Sequence, residues 1–166
     1  MLLYNRKKGA CLMRGGKKMK VYHLYLIRDD IAKSYFGREH LLFDLFVRFT
    51  RARSLSAKKM LYKQIQYITK PLPQLKLHHR VEQSLLSSHL YKRAVNVHTL
   101  SSASGDVCGT LIIKPQYAIL ESVGNLEVEM IFFEILRKNE ITFLAMEYTA
   151  EQCGWLNPIK QERKYV

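Results

Sequence analysis

The residues best suited to chemistry are His78-His79-Arg80-Val81-Glu82. On a helix, His78 and Glu82 stand at i and i+4, neighbours on one face that could share a metal ion or a proton. Zinc-binding helices carry two histidines at that spacing, as in HEXXH or HXXXH, and neither pattern occurs here. The expectation is a solvated helix face, with Lys76 and Arg80 beside the pair. Cys108 and Cys153 lie in apolar stretches, which raise a thiol pKa and disfavour the reactive thiolate. The glycines form neither GxGxxG nor a phosphate-binding loop, and no serine sits in a nucleophile elbow. Asp29, Asp30, Asp44, Glu127, Glu129 and Glu134 read as helix caps, dipole partners and exposed helix positions. These patterns predict no enzyme, no metal site and no cofactor.

The chain of 166 residues is sized for one domain with its own core, and 48% of its residues are hydrophobic. Its three cysteines, Cys11, Cys108 and Cys153, are odd in number and far apart. Without a CxxC pair they suggest neither a disulfide framework nor structural zinc, and they suit a reducing cytoplasm. No apolar run approaches the roughly 18 residues of a membrane-spanning helix. A soluble cytoplasmic protein is expected.

The formal net charge of +13 raises the alternative of a basic DNA-associated protein that binds nucleic acid directly. Much of that charge is local: Arg6, Lys7, Lys8, Arg14, Lys17 and Lys18 fall in residues 1–18, which hold no acidic residue. Elsewhere the basic residues are spread over several predicted helices, and no RNP, KH or helix-turn-helix pattern appears. "MRGGKKMK" also has a reading at the gene level, because Arg-Gly-Gly is the in-frame translation of a purine-rich ribosome-binding site. Residues 1–18 are therefore expected to be a non-native or disordered basic extension, with Met19 as the true start and residues 19–166 as a single domain.

Hydrophobic periodicity supplies the frame. "VYHLYLI" (21–27) alternates as a strand. "DDIAKSYFG" reads as a short helix capped by Asp29 or Asp30 and ended by Gly37. Residues 39–53 form a helix with Leu41, Leu42, Leu45, Phe46 and Phe49 on one stripe. Residues 56–70 form another, with Leu61, Ile65 and Ile68 inward, stopped by Pro71 and Pro73. A third spans about 73–87. The second half changes character, with strands at 93–101, 107–113 and 117–122. A helix apolar around most of its circumference follows at 125–139, expected to be largely buried, then an interior strand at 142–148. Thr149 to Gln152 resembles a capping box. The sum is an α+β fold, one sheet of about five strands with about four to five helices.

On these helices one set of side chains looks outward. Ile31 and Tyr35 share a face of the short helix. Gln64 and Tyr67, with Met60, form a stripe some 60–100° from the Leu61/Ile65/Ile68 stripe, at about 100° per residue. Tyrosine with apolar and amide neighbours is the composition of an interface centre, although the same spacing also suits ordinary half-buried positions. Phe36, one residue after Tyr35, is expected to face the core.

"YLIRDDIAKSYFGRE", "KQIQYITKPLP", "EMIFFEILRKN", "FLAMEY" and "GWLNPIKQERKYV", in that order, resemble the SirA family of sporulation inhibitors of replication from spore-forming bacteria. The resemblance runs from about Met19 to the C-terminus and is weakest from Ser84 to Leu100. It implies an inhibitory protein–protein interaction with the N-terminal domain of DnaA, the initiator ATPase that opens the chromosomal origin, without catalysis or cofactor. Carried onto this chain, the family's interaction surface falls on Ile31, Tyr35, Gln64 and Tyr67, with Pro158 of "WLNP" as a further functional position. Ile31 departs from the bulkier aromatic expected there, and a smaller anchor fills less of a partner pocket. Trp155 and Leu156 are expected to anchor the tail, with Asn157-Pro158 as a turn.

Overall fold

A computed structural model describes residues 19–124 and 126–158. The expectations for residues 1–18 lie outside the described residues. Strand β1 (Met19–Ile27) follows the alternation of its sequence: Tyr22, Leu24 and Leu26 take one face, and His23, Tyr25 and Ile27 the other. It pairs antiparallel with β6 (Ala118–Val123) along one edge and β7 (Phe143–Glu147) along the other, which makes it a central strand. The remaining strands are β2 (Thr69–Lys70), β3 (Tyr91–Ala94), β4 (Val97–Ser101), β5 (Cys108–Ile113) and β8 (Gln152–Trp155). Their order is β3-β4-β5-β6-β1-β7-β8, with β2 paired to the end of β1, and every pairing is antiparallel. With helices α1 (Asp29–Tyr35), α2 (Glu39–Arg51), α3 (Leu55–Ile68), α4 (Gln74–Leu85) and α5 (Leu126–Asn139), the fold is α+β around one sheet.

The sheet has eight strands among the described residues rather than about five. The segment expected as one strand over 93–101 is a hairpin. Val95, exposed and at φ 49°, turns the chain between β3 and β4, so that Ala94 pairs with Val97. Thr149 to Gln152 is no capping box. Glu151 at φ 52° closes a second hairpin, and Gln152 pairs back onto Glu147. In both places strand pairing outweighs the local preference against left-handed backbone.

Two layers cover the sheet. Against one face, α4 and α5 pack Leu77, Val81, Leu85, Phe132 and Leu136 onto Leu24, Leu111, Leu120 and Phe143. Gly109 sits at the tightest point. A Cβ there would overlap Val128 Cγ1 and come 3.2 Å from Phe132, so glycine is required for α5 to approach. Helix α5 is not largely buried, because a helix lying on one sheet face buries a single stripe; Leu126, Met130 and Ile131 remain exposed. Against the other face, α2 and α3 pack Leu42, Phe46, Ile65 and Ile68 onto Ile27, Leu144 and Met146. Among the described residues no helix is long and apolar enough to cross a membrane.

Candidate partner-binding surface

Helix α3 is started by Ser54, whose hydroxyl oxygen accepts from the Ala57 N–H. It buries Leu61, Ile65 and Ile68 and leaves Gln64 and Tyr67 exposed, with Tyr67 63% accessible. Strand β2 follows directly, and its Thr69 and Lys70 pair with Ile27 and Leu26 at the end of β1. Since α1 begins two residues after Ile27, this short pairing brings the start of α1 against the end of α3. The Arg28 N–H donating to the Ile68 carbonyl (2.9 Å) and a Lys70–Asp29 ion pair (2.8 Å) secure the junction. The aspartates do not cap α1, as the sequence suggested. Asp29 binds Lys70 and Asp30 binds Arg28, while Arg28 occupies the capping position.

The result is a groove of about 680 Å³ between three helices. Ile31 and Tyr35 come from α1, Leu41, Leu45 and Arg48 from α2, and Gln64 and Tyr67 from α3. Each tyrosine carries an arginine. The Arg28 guanidinium lies 4.9 Å from the Tyr67 ring centroid, held by Asp30 at 3.1 and 3.2 Å and donating to the Tyr67 carbonyl. Arg38 lies 5.6 Å from the Tyr35 ring and donates to the Ser34 carbonyl. Such cation–π contacts restrict the rings before any partner arrives.

Four of the five expected site residues, Ile31, Tyr35, Gln64 and Tyr67, thus share one surface. Tyr35 and Phe36 are both half-buried against the same core; Tyr35 lines the groove and Phe36 does not. The fifth, Pro158, is exposed and does not line the groove. It follows Asn157, whose side-chain amide donates to the Arg137 carbonyl (2.6 Å) at the end of α5. Trp155 and Leu156 do anchor this segment: the indole N–H donates to Glu39 at the start of α2 (2.7 Å), and the Leu156 N–H to the Phe143 carbonyl (3.0 Å).

The cluster first considered for chemistry is structural. His78 is buried, not solvated. Its Nδ1 meets His98 Nε2 at 2.7 Å, and His98 Nδ1 meets the Tyr91 hydroxyl at 2.7 Å, while Glu82 pairs with Arg93. Burial lowers the pKa of both imidazoles. In His98 the neighbouring His78 and Arg93 add to the effect, bringing it to about 4, so the pair stays neutral near pH 7. The sequence carried a signal for His98, which alternation places on the same face as Leu100. Glu129 likewise is not exposed. It accepts from Ser122 (2.6 Å) and Tyr22 (2.9 Å), with Lys20 at 3.3 Å, fastening α5 to the sheet. Cys108 is buried, and burial raises the Cys153 thiol. Among the described residues no three metal-binding side chains converge.

Two comparisons place the chain among known proteins. A family model described as "Sporulation inhibitor of replication protein SirA" matches residues 20–160. A Bacillus subtilis (strain 168) protein of that name is 37% identical over 147 residues, covering 87% of this chain and 97% of the relative. The chain belongs to the SirA family.

Proposed function

We propose that this protein inhibits the initiation of DNA replication during sporulation by binding the N-terminal domain of DnaA through the α1–α2–α3 groove. It acts by occupancy: it covers a DnaA surface needed for productive assembly at the origin and turns nothing over. The observation that carries this reading is the convergence of Ile31, Tyr35, Gln64 and Tyr67 on one exposed groove in a chain of this family. An apolar floor with oriented tyrosines is the make-up of an interaction hot spot. Arg48 and Lys63 line the groove together with Asp44, and Arg38 and the Asp30-paired Arg28 stand on the two tyrosines, so the surface is basic on balance and the opposing face of DnaA is expected to present acidic groups that set approach and register. Pro158 enters as a residue that directs the chain beyond β8, outside the groove.

Titration of the purified protein with the isolated DnaA N-terminal domain, and separately with origin DNA at moderate salt, tests the proposal. Saturable binding to the domain that Tyr67→Ala weakens by about thirtyfold or more is the expected result. Tight binding to DNA alone would overturn it in favour of a nucleic-acid-binding protein.

A further inference from the structure

A second groove lies on the opposite side of the sheet, between α5 and the β7–β8 hairpin. There Ala145 is short and Gly154 has no side chain, and a Cβ on Gly154 would meet nothing within 4 Å. The floor at this edge of the sheet is therefore low, and about 400 Å³ stays open beside α5. Tyr22 and Phe133, edge to face with centroids 5.2 Å apart, form an apolar wall with Met130, and Trp155 also lines the groove.

Glu147 is the exception on this surface. Alternation along β7 puts it on the face of Phe143 and Ala145, one register step beyond the His23–Met146 pair. It lines the groove and is only 7% accessible, yet its carboxylate has no hydrogen bond or ion pair among the described residues. Its oxygens are not sealed off, so they open onto the groove. The donors on this side are committed elsewhere. The Tyr22 hydroxyl donates to Glu129 (2.9 Å), Lys20 stands 3.3 Å from the same carboxylate, and Arg137 lies 2.7 Å from Glu134. With Arg137 balanced by Glu134, Glu147 leaves the lining one negative charge in excess. A carboxylate largely withdrawn from water is costly until a cation meets it, so this side chain marks where a ligand's positive group would sit.

We propose that this groove binds a small organic cation, an ammonium group on a flat apolar body, of the arylalkylamine class. The ammonium donates to the Glu147 carboxylate, and the body lies along Tyr22 and Phe133. The volume is within the range of small-ligand sites. This site is separate from the α1–α2–α3 groove and stands independently of the DnaA reading.

Phenethylamine, a cation at neutral pH, and phenethyl alcohol, its neutral counterpart, titrated into the full-length protein and followed by aromatic NMR, test the proposal. The amine is expected to shift the Tyr22, Phe133 and Trp155 signals saturably and to bind at least about fivefold tighter than the alcohol. Neither apolar transfer nor the net charge of +13 favours the amine, so the preference reports a local carboxylate. Glu147→Gln should bring the amine down to the level of the alcohol or below it and leave the alcohol unchanged. Should that variant not fold, the wild-type protein decides, because the bound amine must move the carbon NMR signal of the Glu147 side-chain carboxyl at constant pH. Unsaturable shifts, equal affinity for the two probes, an unaltered preference in Glu147→Gln, or a Glu147 carboxyl indifferent to the amine would each overturn the proposal.

Discussion

Over one face of the sheet, where α4 and α5 pack, α5 presses so close that Gly109 has no room for a side chain. Over the other, α2 and α3 ride on aromatic rings, with a cavity beneath them and an exposed groove above. The first layer is mainly aliphatic around Phe132 and Phe143, and it buries polar groups in internal pairs: Glu129 with Ser122 and Tyr22, His78 with His98 and Tyr91. The second keeps its tyrosines half-buried or exposed. The difference fits the α4–α5 layer to holding the fold together, and it supports our proposal that the α1–α3 layer meets a partner.

The largest expected effect bears on the first layer. Phe132 is fully buried, so Phe132→Ala should cost about 4 kcal/mol in urea unfolding. A loss below about 1 kcal/mol would break the contrast. Next comes acid. The folded His98 has its pKa near 4, whereas the unfolded imidazole takes a proton near its ordinary value of 6.5. Stability is therefore full above about pH 6.5 and falls as pH drops towards 4, by about 3 kcal/mol for this group. Denaturant midpoints across that range, compared with His98→Phe, check the sign and size. In the second layer the expectation inverts. Tyr67→Ala should change stability by no more than about 0.5 kcal/mol, yet weaken DnaA-domain binding by about 2 kcal/mol or more. A large stability loss with binding intact per folded molecule would return Tyr67 to the core. Smallest is Arg38→Ala, where loss of the stack on Tyr35 should weaken binding by about 0.5–1 kcal/mol at unchanged thermal stability.

What could be read beforehand follows the same physical division. Helical periodicity placed Leu61, Ile65 and Ile68 inward and Gln64 and Tyr67 beside them, because the angle between those stripes is set within one helix. That α1 lies next to α3 was not legible from periodicity. The neighbourhood depends on two residues of β2 pairing with the end of β1 some forty positions away, a contact no local pattern announces. The family resemblance supplied that link. The missed strands share this cause: β2, β3 and β8 are short and take their shape from partners, and the left-handed turn positions fall on Val95 and Glu151, residues that give no turn signal of their own. His78 was misplaced because its buried partner, His98, is twenty residues further on. Glu129 was misplaced because a carboxylate suggests solvent unless Ser122 and Tyr22 are known to face it.

The central position of β1 also governs how the molecule comes into being. The strand is made early, yet its partners β6 and β7 lie about a hundred residues or more downstream. At ribosomal speeds of roughly 5–20 residues per second, β1 waits on the order of ten seconds for its neighbours. During that wait "VYHLYLI" presents two bare edges and an aromatic face, the kind of segment that pairs with the wrong strand or is held by a chaperone. The sheet closes only once β7 has been made, so a truncated chain ending before Phe143 leaves this strand without one of its two neighbours. Chains shortened before β7 are therefore expected to be cleared rather than to accumulate.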